Sequence, residues 1–314
     1  TGLRGVVFQE TDFSPKNETA DLDFNRLVEK FLNLKADETK LVGTGISPHA
    51  PYTVSRRLFE IITDYALAEN VKLSIHAAES AEEQEFMLTG AGFFARLYEK
   101  FGHRWVAPQL TTVEYFDRLG VLRTKPLLAH CVMVSDADIE ILAARDARVA
   151  HCPKSNAKFG HGTAPLEKFL ARNIKTGLGS DSVASNNTCD ILEEGRFAAL
   201  LARARDDKKR LLPAREILRA ATLGGAQSLG MAAEIGSLAP GKQADLVVIS
   251  LEAVAQQPVH EIHSAILFAS TARDVRLTMV AGEAIYRGGD ALKVDEKELR
   301  EEMKRIARKM SDGK

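Results

Sequence analysis

Four short polar clusters along the chain carry side chains that can bind a metal ion or transfer a proton. They occupy residues 47–52, 76–79, 130–131 and 180–182. Imidazoles and carboxylates suit Zn²⁺, Fe²⁺ or Mn²⁺, and a catalytic metal needs about three or four protein ligands with one open position for water. Such a metal makes hydroxide near neutral pH, and a nearby carboxylate can transfer protons. His76 and Glu79 would place a ligand and an acid in one loop, so the residue types indicate metal-assisted hydrolysis.

Each of these side chains also has an ordinary structural interpretation. A single histidine at the end of a strand is often a hydrogen-bonded core residue. Glu79 alone fits a first-turn helix acid, and Asp181 alone fits a helix N-cap. For His151 and His161, direct chemistry and loop scaffolding both stay open. The four clusters taken together favour a functional site, because each directly follows an apolar run.

Six apolar runs alternate with helical patterns. The runs are residues 5–9, 41–47, 71–76, 126–132, 148–151 and 174–179. Near-continuous apolarity over so few residues is typical of a parallel strand that is covered on both faces. Strands that alternate with helices predict an α/β fold with right-handed crossovers, either an open doubly wound sheet or a (β/α)₈ barrel. In both folds the site lies at the carboxyl ends of the strands.

The longest connection spans residues 80–124 and contains the single tryptophan, Trp105. Connections of this length in compact domains often form lids or pocket walls. We predict that Trp105 and Tyr52 line the outer part of a substrate pocket. Ordinary packing of both aromatic rings is the alternative interpretation.

The pattern changes in the last third of the chain. We predict a hydrolase barrel over residues 1–235, a small β region over 236–290 and a C-terminal helix over 291–314. The β region contains a turn-and-strand segment from Gly236 and a hairpin across Ala281 and Gly282. The final helix is predicted from an apolar stripe with helical spacing.

Composition limits the partners. The 314 residues include 42 Lys and Arg against 43 Asp and Glu, which gives a net charge of −1. This balance argues against nucleic acid or an anionic membrane as the main partner, and no apolar run reaches the ~18 residues of a membrane span. The three widely spaced cysteines predict neither a disulfide framework nor a cysteine zinc knuckle. We expect a cytoplasmic protein that acts on a small molecule, with homo-oligomer formation left open.

The order of the strand-end motifs resembles the amidohydrolase superfamily, and most closely its hydrolytic deaminases and chlorohydrolases. The motifs are Ser-Pro-His-Ala-Pro-Tyr, Ser-Ile-His-Ala-Ala-Glu-Ser, Leu-Ala-His-Cys-Val, Ala-His-Cys-Pro-Lys-Ser-Asn and Gly-Ser-Asp-Ser-Val-Ala-Ser-Asn-Asn. The resemblance covers essentially the whole chain. It implies a (β/α)₈ TIM-barrel with a small β-sandwich and one divalent metal, Zn²⁺ before Fe²⁺ or Mn²⁺.

The resemblance also implies roles for individual side chains. His76 and Asp181 would be metal ligands, and Asp181 would also act as a base toward the bound water. Glu79 would protonate a ring nitrogen and pass a proton to the leaving amine, while His130 would orient the water. Two further residues would face the substrate: His49 and Ser185.

One departure from the family pattern concerns the metal. The family takes two more ligands from a His-x-His motif at the end of its first strand, and none of the eight histidines here forms that motif. The chain also starts at Thr1 on what reads as an internal strand. We therefore expect the first strands, the His-x-His and part of the sandwich to lie upstream of residue 1.

The function that this resemblance implies is hydrolytic deamination of an aminated heteroaromatic ring. The residues that make up these motifs favour an adenine-nucleoside derivative such as aminofutalosine. The segment 9–25 contains no arginine to bind an amino-acid carboxylate. S-adenosylhomocysteine or methylthioadenosine deamination, triazine chlorohydrolase activity and a non-catalytic scaffold on the same fold stay open as alternatives.

Overall fold

A parallel sheet of six short strands is the centre of the molecule, which a computed structural model describes over residues 1–205 and 211–312. The strands pair in sequential order, β1 to β6. They are β1 (Gly5–Glu10), β2 (Val42–Ser47), β3 (Lys72–Ala77), β4 (Leu127–His130), β5 (Arg148–His151) and β6 (Lys175–Leu178). All six predicted strands are confirmed. Short runs rich in Val, Ile and Leu are typical of parallel strands that are covered on both faces.

The register brings the polar clusters to one edge of this sheet. His76 pairs with Ala129, and Ala77 pairs with His130, so β3 and β4 end side by side. His151 at the end of β5 pairs with Leu178, the last residue of β6. Parallel strands in sequential order, each followed by helix, form the TIM-barrel-like arrangement that the sequence predicts.

Fourteen α-helices are present in the described ranges, most of them between the strands. They are α1 (Ala20–Ala36), α2 (Arg56–Glu69), α3 (Ala81–Thr89), α4 (Gly92–Lys100), α5 (Thr112–Arg118), α6 (Asp136–Ala144), α7 (Pro153–Phe159), α8 (Leu166–Ala171), α9 (Val183–Asn186), α10 (Ile191–Arg205), α11 (Ala214–Arg219), α12 (Gly225–Ser228), α13 (Ile262–Ser264) and α14 (Glu296–Asp312). No helix of the described part combines the length and the apolarity that a membrane crossing requires.

Side-chain caps fix where several helices begin. The Ser55 hydroxyl accepts a hydrogen bond from the Leu58 amide at 3.3 Å, which starts α2. Ser135 and Asp138 form a reciprocal capping box at the start of α6. Both caps satisfy free amides of a first helical turn, which is the ordinary role of such side chains.

The core lies between the sheet and these helices. Fully buried phenylalanines dominate it, and they come from helices that flank different strands: Phe31, Phe59, Phe86, Phe116 and Phe169. Phe59 and Phe116 pack at 5.2 Å between ring centroids, which joins α2 to α5. This packing holds the strand ends in fixed positions.

Close approach between β6 and α12 depends on glycine, and we expect Gly177→Ala to disturb it. A Cβ atom at Gly177 would lie 2.7 Å from the Gly225 Cα, a distance that real Cβ atoms do not reach. Overpacking of this kind costs about 1–3 kcal/mol of unfolding free energy. Urea unfolding of Gly177→Ala measures this loss. Gly43→Ala in β2 is the matched control, since its Cβ would meet no atom within 4 Å. Equal stability of the two variants would contradict the packing argument.

A second, antiparallel sheet of four strands follows the parallel one, in the order β10-β9-β8-β7. Its strands are β7 (Leu246–Ile249), β8 (Val275–Val280), β9 (Glu283–Arg287) and β10 (Asp290–Ala291). The predicted hairpin is confirmed: Ala281 and Gly282 both have positive φ between β8 and β9. Arg4 pairs with Asp245 at 2.6 Å and ties the start of the chain to this sheet. The domain boundaries proposed from sequence stay a prediction.

Candidate active site

Several residues at the strand ends have left-handed backbone conformations, although they are not glycines. Ala78 after β3, His130 and Cys131 at the end of β4, and Asp181 after β6 have φ values between 49° and 73°. Non-glycine residues rarely adopt this region, and such strain is often kept where side chains must point into a site. The four positions lie at the same edge of the sheet, which marks it as the candidate site.

His76 is held by the backbone of the neighbouring loop. Its Nδ1 lies 2.9 Å from the carbonyl oxygen of His49. A carbonyl only accepts, so the Nδ1 of His76 donates this hydrogen bond. The His49 ring lies 4.7 Å from the His76 ring, and burial together with His76 lowers the pKa of His49 to about 4. The His49 ring is therefore neutral near pH 7.

Glu79 lies between two imidazole rings. Its Oε1 is 3.6 Å from the Nε2 of His130 and 3.6 Å from the Nε2 of His161. His130 is 1% exposed and its Nδ1 donates to the Asn156 Oδ1 at 2.8 Å, which leaves a lone pair on Nε2. Burial lowers the pKa of His130, against the opposing charge of Glu79. The carboxyl of Glu79 therefore lies within ion-pair range of two imidazole rings, an arrangement that general acid–base chemistry uses.

Asp181 is ionised more readily than an ordinary aspartate. Its Oδ2 accepts hydrogen bonds from the Ser155 hydroxyl at 2.6 Å and the Ser185 hydroxyl at 2.7 Å. Burial opposes the charge, but these hydrogen bonds outweigh it and lower the pKa of Asp181. The result is a fixed carboxylate at the edge where His130 and Glu79 also lie.

Two fully buried glutamates hold the loops that carry these groups. Glu83 on α3 accepts from the amides of Ala78 and Glu79, at 2.7 and 2.9 Å. Glu194 on α10 accepts from the Asn186 amide group, which also donates to the carbonyl of Ser180. Removing either glutamate would leave buried hydrogen-bond donors unpaired. Each unpaired donor lowers the free energy of unfolding by about 1–3 kcal/mol.

Glu83 gives the folded protein a pH dependence that glutamine would remove. Burial raises its pKa to about 7, against the hydrogen bonds from Thr112, Glu79 and Ala78. An unfolded glutamate has a pKa of about 4.3. Between these values the folded protein keeps a proton that the unfolded chain has released, so the contribution of Glu83 to stability falls as pH rises. We expect Glu83→Gln to flatten that decline.

Urea unfolding between pH 4.5 and 7.5 tests this expectation. The control is Glu82→Gln, because Glu82 is the exposed neighbour on the same helix. The control should keep the pH slope of the unmodified chain. Parallel slopes in all three proteins would show that Glu83 is ionised in the folded state.

These residues supply only part of the ligand set of a metal site. Within residues 1–205 and 211–312, no group of three or more His, Cys, Asp or Glu side chains is placed to hold a metal ion. His76 and Asp181, the two ligands that the resemblance implies, fall short of the three or four that a zinc site uses. The residues present therefore do not make a metal site on their own.

We expect the 314-residue chain to hold zinc weakly. Metal analysis after dialysis should find well under one equivalent, because two ligands leave most of the coordination sphere to water. One tightly held equivalent that His76→Ala and Asp181→Ala both remove would contradict this expectation.

The structure places five of the predicted site residues together at the strand ends: His76, Glu79, His130, Asp181 and His49. The contacts of the other two, Ser185 and Trp105, are with protein side chains and backbone. Ser185 is buried and bonded to Asp181. Trp105 stacks on Phe86 at 4.3 Å and donates to the Phe86 carbonyl. Their roles toward a substrate stay a prediction.

The sequence leaves the roles of His151 and His161 open and does not indicate Asn156. His161 lies 3.6 Å from Glu79, between Gly160 and Gly162, which both have positive φ. His151 is fully buried and neither ring nitrogen has a hydrogen-bond partner. Burial lowers the pKa of His151 to about 3, so it is neutral. Asn156 gave no signal beyond its place in the motif after β5.

Comparison with known proteins places these residues in a family. The sequence profile of the amidohydrolase family matches residues 3–285. A 5-methylthioadenosine/S-adenosylhomocysteine deaminase of Pelotomaculum thermopropionicum is 35% identical over 83% of this chain and 56% of that protein. A 5'-deoxyadenosine deaminase of Methanothermobacter thermautotrophicus is 32% identical over 90% of this chain and 61% of that protein.

A solved structure agrees with the fold. An adenosine deaminase from Xanthomonas campestris with bound zinc has a TM-score of 0.84 at 30% identity, over 99% of this chain and 67% of that chain. The chain thus spans between about half and two thirds of the proteins it matches. The barrel fold predicted from the motifs is confirmed, and the chain belongs to the amidohydrolase family.

Proposed function

We propose that the protein to which this chain belongs hydrolyses the exocyclic amino group of an adenine nucleoside, releasing ammonia. The position of Glu79 is the observation that carries this proposal: its carboxyl lies 3.6 Å from two imidazole nitrogens. Ring deamination needs a group that gives a proton to a ring nitrogen and later moves one to the departing amine. Relatives that are named as adenosine-type deaminases support the same reaction class.

In this reaction Glu79 acts on the ring and Asp181 acts on the water. Glu79 donates its proton to the ring nitrogen beside the amino-bearing carbon, which makes that carbon electron-poor. Asp181, kept ionised by Ser155 and Ser185, accepts a proton from the attacking water. The ionised Glu79 then takes the proton of the new C–OH group and passes it to the amine, the C–N bond breaks, and ammonia leaves. The ring keeps a carbonyl oxygen and the proton first given to its nitrogen. The proton held by Asp181 finally passes to Glu79 and restores the starting state.

His130 orients the attacking water. Its Nε2 lone pair accepts a hydrogen bond, because Nδ1 is committed to Asn156. His49 would contact the ribose side of the substrate, next to His76. Burial lowers the pKa of both His130 and His49, so these two rings add no positive charge beside the substrate near neutral pH.

The proposal includes a divalent metal, with zinc before iron or manganese, and His76 and Asp181 as two of its ligands. When bound, the metal would supply a water that ionises near neutral pH, and His76 and Asp181 would help to hold it. The zinc in the structurally similar adenosine deaminase supports this choice.

Among adenine nucleosides, aminofutalosine is the substrate that we propose first, on the basis of the sequence motifs around His76 and His161. Methylthioadenosine and S-adenosylhomocysteine are the second candidates, because several relatives carry those names.

An ammonia-release screen of these nucleosides, with the natural protein loaded with zinc, tests the proposal. Chloride release from a triazine without ammonia release from any nucleoside would favour the chlorohydrolase alternative. No turnover of either class would favour a scaffold.

A further inference from the structure

A cavity of about 310 Å³ lies at the amino ends of the parallel strands, at the opposite end of the sheet from the candidate active site. Its lining includes the first residues of β3, β4 and β5, which are Lys72, Leu127 and Arg148. Arg148 begins β5 and His151 ends it, so this strand separates the cavity from the active-site edge by about 10 Å. We call it the basal cavity.

The lining of the basal cavity is strongly basic. It contains four cationic side chains and, as far as the described ranges show, no aspartate or glutamate: Lys72, Arg123, Lys125 and Arg148. Lys125 pairs with Asp146 at 3.0 Å, and the same carboxylate binds Lys175 at 2.6 Å. The other three form no ion pair within residues 1–205 and 211–312. The lining therefore carries an excess of positive charge.

Arg148 is the cation that the protein leaves least satisfied. Its Nε is buried and has no hydrogen-bond partner among the described residues. Gly230, which also lines the cavity, lies against the same guanidinium, because a Cβ atom there would be 2.9 Å from Nη1. Buried charged groups are normally paired. The part of Arg148 that lines the cavity is where a counter-charge can reach it.

The walls of the basal cavity are held in place by the fold. Ser228 of α12 is 3% exposed, and its hydroxyl lies 3.0 Å from the carbonyl oxygen of Lys175, the first residue of β6. Leu73 of β3 is buried as well. Both residues line the cavity. A site whose walls are already ordered binds a ligand without the cost of ordering them.

The unpaired cations match the chemistry of a phosphate group. Arginine binds phosphate oxygens through paired N–H donors, and lysine adds a point charge. Three cations without ion pairs suit a multivalent anion better than chloride or a single carboxylate, since either of these would balance only one charge. The volume of the cavity admits an anion of the size of phosphate or pyrophosphate.

We propose that the basal cavity binds a phosphate-class anion through Arg148, Arg123 and Lys72, and that the bound anion stabilises the amino ends of the strands. The inference does not depend on the proposed function, because the cavity shares no lining residue with the candidate active site. An anion that binds only the folded chain raises the free energy of unfolding as its concentration rises.

Calorimetric titration of the natural protein with inorganic phosphate, at constant ionic strength, tests the proposal. We expect one saturable equivalent that is the same with and without zinc. Arg148→Gln should weaken binding by about ten- to hundredfold, as the loss of a hydrogen bond to a charged group does. Arg123→Gln should weaken it by about two- to fivefold, because Arg123 is exposed.

Arg118→Gln is the matched control, since Arg118 is exposed, lies close in sequence to Arg123 and does not line the cavity. It should leave the affinity unchanged, whereas Lys72→Gln should repeat the effect of Arg123→Gln. These exposed positions decide the test even if Arg148→Gln does not fold. No saturable binding, or equal losses in Arg123→Gln and Arg118→Gln, would overturn the proposal.

Two further measurements define the ligand and its effect. Ribose 5-phosphate and pyrophosphate are the additional probes: tighter binding of ribose 5-phosphate than of phosphate would identify an organic phosphate as the ligand, and weaker binding would identify a free phosphate anion. Phosphate should also raise the Tm of the unmodified protein and of Arg118→Gln, but less in Arg123→Gln. An equal rise in all three proteins would mean a general salt effect and would overturn the stabilising role.

Discussion

We expect Glu79→Gln to lower kcat for nucleoside deamination by about 10²–10⁴-fold, the usual contribution of a general acid–base group. Glutamine keeps the size and polarity of the side chain, but it cannot give and take a proton in turn. The variant therefore retains its fold and loses the ionisable carboxyl that lies 3.6 Å from the His130 Nε2. Steady-state ammonia release by the zinc-loaded natural protein measures the loss.

The control for this variant is Glu82→Gln, which changes an exposed carboxyl three residues away. That control should keep its kcat. The metal content of Glu79→Gln should also equal that of the unmodified enzyme, because Glu79 is not among the proposed ligands. Normal turnover in Glu79→Gln would remove this residue from the mechanism.

Asp181→Asn should cause the second large loss, again about 10²–10⁴-fold in kcat. The amide still accepts hydrogen bonds from Ser155 and Ser185, but it cannot accept a proton from water. Since Asp181 is also a proposed zinc ligand, the variant should lose metal as well as activity. Parallel measurement of bound zinc and ammonia release separates this result from that of Glu79→Gln.

Ser185→Ala is a graded comparison for Asp181. It removes one of the two serine hydrogen bonds to the Asp181 Oδ2 and leaves the carboxylate in place. The pKa of Asp181 should rise toward its ordinary value, so the acid limb of the kcat profile should move to higher pH. An effect as large as that of Asp181→Asn would mean that Ser185 contacts the substrate, as its motif suggests.

The barrel strands could be predicted because burial on both faces leaves a strong signal. Runs such as residues 126–132 contain few polar residues other than the histidine that lies in the site. The capping box of Ser135 and Asp138 and the hairpin at Gly282 were equally readable, since each depends on residues within a few positions. Local rules therefore identified most elements.

The long connection after β3 was less predictable. The structure has three helices within residues 80–124: α3, α4 and α5. Helix α4 contacts two segments that are distant in sequence, since Tyr52 stacks on Phe94 and Phe13 lies against Tyr98. Trp105 stacks on Phe86 of α3, and this contact could not be inferred from its position in the sequence.

The hydrogen bonds that hold the site loops were also not predicted from the sequence. Glu83 follows Ser80 by three residues and reads as a capping-box acid. The Ser80 hydroxyl does accept from the Glu83 amide, but the Glu83 carboxyl turns to the amides of Ala78 and Glu79 instead. That choice depends on the left-handed conformation of Ala78, which no local pattern indicated.

Isotope transfer from water tests the central claim most directly. The zinc-loaded natural protein is incubated with 5′-deoxyadenosine in H₂¹⁸O, and the base and the released nitrogen are measured together. The account predicts one ammonia for each base converted, with ¹⁸O at the carbon that lost its amino group. Ammonia release without ¹⁸O in the base, or no release from any adenine nucleoside, would contradict hydrolytic deamination at Glu79.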